Sequence, residues 1–372
     1  MTGKATVLYS SSLALILIAL SSVLTNYLAS PDTVNMSELK AISDQLNQIN
    51  APLTASDTTI PTEIATVMAW WYPGAPACAA IEDAKKVQFD VLKPEYFAIR
   101  EGGEFEFMTT DRYICNGYSE ENVAQVRDLS KEQFVMISSS YAQDMKKFLT
   151  QDEIDGRYTN QIVEFVTDAD FTGAELDFED YGGWTPDIYA LYKSFVTRLG
   201  TALHAEGRQL MIDLPPVRNE AEERWYTFRL DELEKLPIDY IVIMGYDYQF
   251  DHGVGEPISP LDWLKEVILF TRNKIQDDSK IVIGLPTYGY IGDKQTQKIQ
   301  IVTREQASKE YLYDKAERDG RSSELIAESN KEVLVYQDEV SLNAKMEIVR
   351  EAGIDKVSIW HLGGNMLPTI GN

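Results

Sequence analysis

The sequence predicts an α/β fold, a (β/α)8 barrel with a short insertion between strands 7 and 8. Three observations carry this. Strand-like and helix-like stretches alternate from about Ile64 to the C-terminus, the pattern of a parallel sheet with crossover helices. Eight such steps occupy roughly 310 residues, the usual scale of the closed eight-fold barrel. One strand, Phe171 to Asp180, sets Glu175, Asp177 and Glu179 on one face and Ala174, Leu176 and Phe178 on the other. Both faces of a parallel barrel strand are covered, so an acidic face belongs inside the barrel and opens at its C-terminal mouth. The plain alternative is an acidic edge strand facing water.

The chain divides at 1–30, 31–61 and 62–372. Val7 to Leu28 carries no charge, with Lys4 the one base ahead of it. This reads as a signal peptide or an uncleaved membrane anchor, and Ala19-Leu20-Ser21 offers a small-x-small cleavage site. Either reading places the rest outside the cytoplasm, secreted or anchored. Residues 31–61 are polar, with a possible short helix at Met36 to Asn50 and a linker ending at Pro61.

The barrel elements then follow in order. Ile64 to Trp71 is the first strand, closed by Tyr72-Pro73-Gly74, and Ala77 to Lys86 is a helix. A second strand at Tyr96 to Arg100 turns through Glu101-Gly102-Gly103 into Glu104 to Met108. Ser119 to Arg127 is helical, Gln133 to Ser138 is the third strand, and Asp155 to Val166 is the helix before the acidic strand. The next helix is the best signalled: Thr185 caps it, Pro186 fits its first turn, Asp187 suits its positive end, and Gly207 stops it. Gln209 to Leu214, Tyr240 to Tyr246 and Lys280 to Leu285 are strands five to seven, with a helix at Pro260 to Asn273. Lys298 to Val302 and Lys331 to Tyr336 read as inserted hairpin material before the helix Leu342 to Ala352 and the last strand, Val357 to His361.

Three carboxyls stacked on one strand face repel one another and lose solvation, which raises at least one pKa. A carboxylic acid kept protonated near neutral pH is what a general acid requires, and cleavage of a glycosidic bond is one reaction that uses it. The formal charge of −25, 59 acids against 34 bases, argues against nucleic acid and anionic membrane surfaces as partners. Membrane contact is expected only through the N-terminal segment, if that is retained. Cys78 and Cys115 lack metal-ligand spacing; they form one disulfide in an exported protein or remain free buried thiols. His204, His252 and His361 are scattered, so neither a metal nor any other cofactor is expected.

Four stretches together resemble glycoside hydrolase family 18, the chitinase-like barrels. The family's fourth-strand D-G-x-D-x-D-x-E run stands here as Thr172-Gly173-Ala174-Glu175-Leu176-Asp177-Phe178-Glu179. Its M-x-Y-D motif is Met244-Gly245-Tyr246-Asp247, its G-L-P-x-Y-G is Gly284 to Gly289, and its final Trp with a glycine pair is Trp360 to Gly364. Within the family the chain is similar to the bacterial spore-germination and cortex-lytic type, through Tyr336-Gln337-Asp338-Glu339, Ala344-Lys345 and, more softly, Leu92 to Phe97.

The resemblance implies retaining cleavage of β-linked N-acetylglucosamine polymers such as peptidoglycan or chitin, assisted by the substrate's acetamido group. Glu179 takes the place of the general acid and Asp177 that of the residue orienting the acetamido group. Tyr246 stands with them as catalytic. Asp247, Trp360, Met244, Tyr288, Glu175 and Trp71 are the substrate-binding candidates. Most have a plain alternative: a salt-bridged strand end for Glu179, a structural barrel acid for Asp177, loop chemistry for Tyr246 and Asp247, core packing for Trp360 and for Trp70 and Trp71. Asp213 and His361 read as structural.

Two departures stand out: Thr172 replaces the first aspartate, and Glu175 the second, where it either shares a proton with Asp177 or crowds it. Two rival readings are carried. One is a non-catalytic, lectin-like barrel recognising N-acetylated glycans. The other is a barrel hydrolase with a direct carboxylate nucleophile, Glu175 or Asp213, which would not need the N-acetyl group.

Overall fold

The computed structural model describes residues 61 and 63–368, apart from 75, 76 and 114. The predicted signal or anchor segment 1–30 and all but the last residue of the linker 31–61 lie outside the described residues. In chain order the strands are β1 (Thr66–Trp71), β2 (Phe89–Ile99), β3 (Phe105–Phe107), β4 (Ser130–Ser139), β5 (Gly173–Phe178), β6 (Gln209–Leu214), β7 (Tyr240–Met244) and β8 (Ile281–Pro286). They continue as β9 (Gly289–Asp293), β10 (Ile299–Val302), β11 (Glu317–Arg318), β12 (Leu325–Glu328), β13 (Glu332–Tyr336) and β14 (Lys356–Trp360).

Eight strands, β1, β2, β4 to β8 and β14, pair in parallel around a closed ring, because β1 pairs with both β2 and β14. Closure leaves no unpaired barrel edge. Two apolar clusters follow from the period-two alternation. One lies between strands and helices and includes Val67, Ala69, Trp71, Leu176 and Phe178. The other fills the barrel and includes Met68, Trp70, Val91, Met136, Met211 and Val242. Gly173 opens β5 at a site where an added Cβ would stand 2.1 Å from the Gln209 carbonyl, so only glycine lets β5 and β6 meet there.

The helix Pro186–Ala205 forms as read, with the Thr185 side chain accepting from the Ile188 N–H. Three elements differ from the sequence reading. Two helices, Ala142–Asp155 and Arg157–Asp168, stand where one was expected, separated by Gly156 at φ 65°. The first was legible in the apolar stripe Ala142, Met145, Phe148, Leu149, which faces the outer core. The second barrel strand starts at Phe89, well before Tyr96, because Lys93 and Glu95 interrupt its apolar run yet point inward. The insertion is larger than hairpin material: β9 to β13 form a five-stranded antiparallel sheet in the order β10-β9-β13-β12-β11.

That sheet joins the barrel mouth, since Tyr290, Val333 and Val335 belong to the same cluster as Trp70 and Tyr246. It is tied down by a buried ion pair, Lys345 Nζ to Glu324 Oε1 at 3.1 Å, both side chains 0% exposed. Glu324 also accepts from the Ile258 and Ser259 N–H groups at 2.7 and 2.9 Å. Cys78 and Cys115 form a disulfide between the segments that follow β1 and β3.

Candidate active site

The C-terminal ends of the barrel strands open into a cavity of about 580 Å³. Glu179, one residue past β5, lines it together with Met244 at the end of β7 and Tyr246 and Asp247 just beyond. Catalytic groups sit at this face of a (β/α)8 barrel because the loops there vary while the strands stay rigid. Asp180 and Asp247 adopt left-handed backbone, φ 56° and 70°, rare for a residue with a side chain and concentrated where a site is held under constraint. The Glu179 N–H continues the ladder to the Ser139 carbonyl at 2.8 Å, and the Trp184 indole donates to the Glu179 carbonyl at 3.0 Å. These bonds fix the backbone and leave the carboxyl facing the cavity. The outer wall carries the exposed rings of Trp225 and Phe250.

Below Glu179 the inward face of β5 continues with Asp177 and then Glu175. Asp177 Oδ1 is buried and accepts no hydrogen bond from the protein. Glu175 is fully buried and ion-paired with Lys93, Nζ to Oε1 2.5 Å. The same ammonium lies 3.3 Å from the centre of the Trp70 ring. Glu95 accepts from the Ser138 hydroxyl at 2.5 Å.

Crowding acids into a low-dielectric barrel favours their neutral forms. Loss of solvation within the cleft first, then the charges of Asp247 and Asp180, raises Glu179 above the ordinary glutamate range. Burial, then Glu179, Glu175 and Glu95, pushes Asp177 well above the aspartate range, with Lys93 pulling back. Burial raises Glu95 to about 7 despite the Ser138 bond. Asp247 is raised by burial and partly held down by Tyr288 and Gln249. Among the described residues no group of three or more His, Cys, Asp or Glu is arranged to hold a metal ion.

Glu179, Tyr246, Asp247 and Met244 thus converge at the mouth, with Asp177 below Glu179 and Trp360 against Tyr246. Trp360, half-buried, stacks 6.2 Å from Tyr246. Three substrate-binding expectations need correcting. Trp71 is 0% exposed and packs outward between strands and helices; one residue along β1, Trp70 points inward instead. Tyr288, 1% exposed, is no open wall: its hydroxyl donates to Asp247 and positions that carboxyl. Glu175 is sealed beneath Asp177 and held by Lys93, so it reaches no ligand and acts on Asp177 only through its charge. His361 is structural as read: buried, held near a pKa of about 4 by burial and so neutral, with Nδ1 at 2.6 Å from the Leu362 carbonyl. Lys93, Glu95, Trp225 and Phe250 were missed. For the first two the signal was a Lys-Pro-Glu inside an apolar run with both charges on one strand face.

A closed barrel whose mouth holds paired strand-end carboxyls in an aromatic-walled cleft is the architecture of a glycosidase. The chain belongs to the glycosyl hydrolases family 18, whose family model matches residues 92–365. It is similar to the cortical fragment-lytic enzyme of Bacillus subtilis (strain 168), 23% identical over 239 residues, 61% of this chain and 54% of that one. Among solved structures, a chitinase from Chromobacterium violaceum superposes with a TM-score of 0.67 at 19% identity, covering 80% of this chain and 94% of that one. The spore cortex-lytic enzyme SleL of Bacillus megaterium gives 0.67 at 14% identity, covering 84% and 76%. The chain spans about half the length of the B. subtilis relative.

Proposed function

We propose that this glycoside hydrolase cleaves β-linked N-acetylglucosamine bonds in a peptidoglycan- or chitin-like polymer, with retention, using the substrate's acetamido group as nucleophile. Asp177 carries the reading. Its Oδ1 is buried, has no protein partner and lies on the strand face that leads to Glu179, where an acetamido N–H needs an acceptor. Glu179 then protonates the leaving oxygen and later activates water. Tyr246, Asp247 and Trp360 orient the reacting sugar, and Trp225 and Phe250 offer ring faces to its neighbours. A direct carboxylate nucleophile is disfavoured because Glu175 and Asp213, at 0% and 1% exposure, are walled off beneath Asp177. The similarity to a cortical fragment-lytic enzyme and to a chitinase supports both polymers. The Cys78–Cys115 disulfide and the uncharged N-terminal run support an extracytoplasmic location.

The test is product analysis by mass spectrometry on chitooligosaccharides and purified peptidoglycan strands side by side, with proton NMR of the first-formed anomer. Early β-anomer from either glycan is expected. Early α-anomer would rule out retention, and binding without cleavage would favour the lectin-like reading. The alkaline limb of kcat/KM should report loss of the Glu179 proton. Asp180→Asn keeps an acceptor for the Ala142 N–H yet removes a charge that raises Glu179, so that limb is expected to move to lower pH. An unmoved limb would assign it to another group.

A further inference from the structure

Three carboxyls face the barrel interior below the cleft, Glu175 and Asp177 on β5 and Asp213 on β6, with one ammonium, Lys93, placed against Glu175. Asp213 is 1% exposed, and neither of its oxygens accepts a hydrogen bond from any N–H or O–H of the protein. Glu175 Oε2 is likewise buried without such a donor, since Lys93 serves Oε1. Glu175 and Asp213 lie on neighbouring strands, and each shifts the other's proton affinity, lowering Glu175 and raising Asp213; the Trp70 side chain is a further neighbour of Glu175. Two carboxyl groups in contact in a dry interior need a proton between them, because two bare charges there repel and a bare oxygen pair leaves both unsatisfied. Lys93 neutralises the other side of Glu175, which makes Asp213 the carboxyl that keeps the proton.

We infer that Asp213 and Lys93 are positioning residues for Asp177: the Asp213 hydroxyl and the Lys93 ammonium hold the two oxygens of Glu175 and leave Asp177 Oδ1 unpaired beneath the cleft. The inference rests on the reading in which Asp177 receives the acetamido group. It also accounts for a glutamate where the family motif has an aspartate: the longer side chain turns to Lys93 and Asp213 rather than to Asp177. Burial and the Glu175 charge both push Asp213 well above the aspartate range, in agreement with the geometry.

The experiment uses the full chain carrying Asp213→Asn, Asp213→Ala, Lys93→Met or Lys93→Met/Glu175→Gln, with kcat and KM measured on chitooligosaccharide. An asparagine amide donates to Glu175 as a protonated aspartate does, so Asp213→Asn is expected within about threefold of the parent kcat, whereas Asp213→Ala loses about tenfold or more with KM little changed. Lys93→Met lowers kcat by about tenfold or more, and Glu175→Gln in the same chain restores part of it, since no unpaired charge then remains. A difference infrared spectrum of the ligand-free protein at mildly alkaline pH supplies a readout that needs no turnover. Asp213→Asn should remove one protonated-carboxyl band. If that band persists, or if the asparagine and alanine variants lose kcat alike, the inference is overturned. Should Asp213→Ala fail to fold, the infrared difference and the Lys93 pair still decide. Failure of the unmodified chain to cleave chitooligosaccharide would count against the proposed substrate, while the infrared result would still report on Asp213.

Discussion

Glu179→Gln is expected to lower turnover by about 10²–10⁴-fold, the usual contribution of a positioned general acid, while leaving glycan binding within a few-fold. The substitution keeps size and hydrogen bonding but removes the transferable proton. No ion pair holds the Glu179 carboxyl among the described residues, and its backbone is fixed by Ser139 and Trp184. The loss should therefore appear in kcat with the unfolding midpoint unchanged. Steady-state kinetics on a chitooligosaccharide, with calorimetric titration of the same ligand, checks both halves. Undiminished turnover in the glutamine variant would remove Glu179 from the chemistry and leave the strand motif without a catalytic meaning.

Lys345→Met is expected to destabilise the barrel by about 3–5 kcal/mol, the cost of removing one partner from a buried ion pair. The ammonium is fully buried against Glu324 and also donates to the Ser322 carbonyl and Gln337 Oε1, both at 3.2 Å. Methionine fills similar volume but leaves Glu324 charged in the interior. Its bonds from Ile258 and Ser259 place the effect toward the low end of that range. Because Glu324 belongs to the insertion, one residue before β12, and Ile258 to the segment after β7, the loss should loosen the insertion before the barrel. Urea unfolding monitored by far-UV dichroism, and amide exchange at 289–336, read these separately. A midpoint equal to the parent's would mean the pair contributes no net stability.

The acidic strand was legible because period-two alternation is a local property. Glu175, Asp177 and Glu179 fall on one face whatever surrounds them, and the outward Ala174, Leu176 and Phe178 fix which face is the core. The cap at Thr185 and the order of the motifs were local in the same sense. The extent of β2 is not legible locally, for a reason that concerns function. Lys93 and Glu95 look like solvent-facing charges in isolation, and only the ring of strands shows that each meets a partner inside, Lys93 with Glu175 and Glu95 with Ser138. Two adjacent tryptophans, Trp70 and Trp71, give no phase until β1 is paired with β2 and β14, and only the pairing sets Trp70 inward.

The sequence by itself determined the barrel and the acidic inward face of β5, since alternation, capping and motif order depend on neighbours along the chain. Tertiary structure decided what each buried charge is paired with. It turned Glu175 from a rival of Asp177 into the partner of Lys93, made Tyr288 a support for Asp247, and raised Glu179 by placing it in the cleft near Asp247 and Asp180. Those outcomes depend on solvent exclusion and on contacts between distant strands, and a charge acquires its chemistry only once both are set.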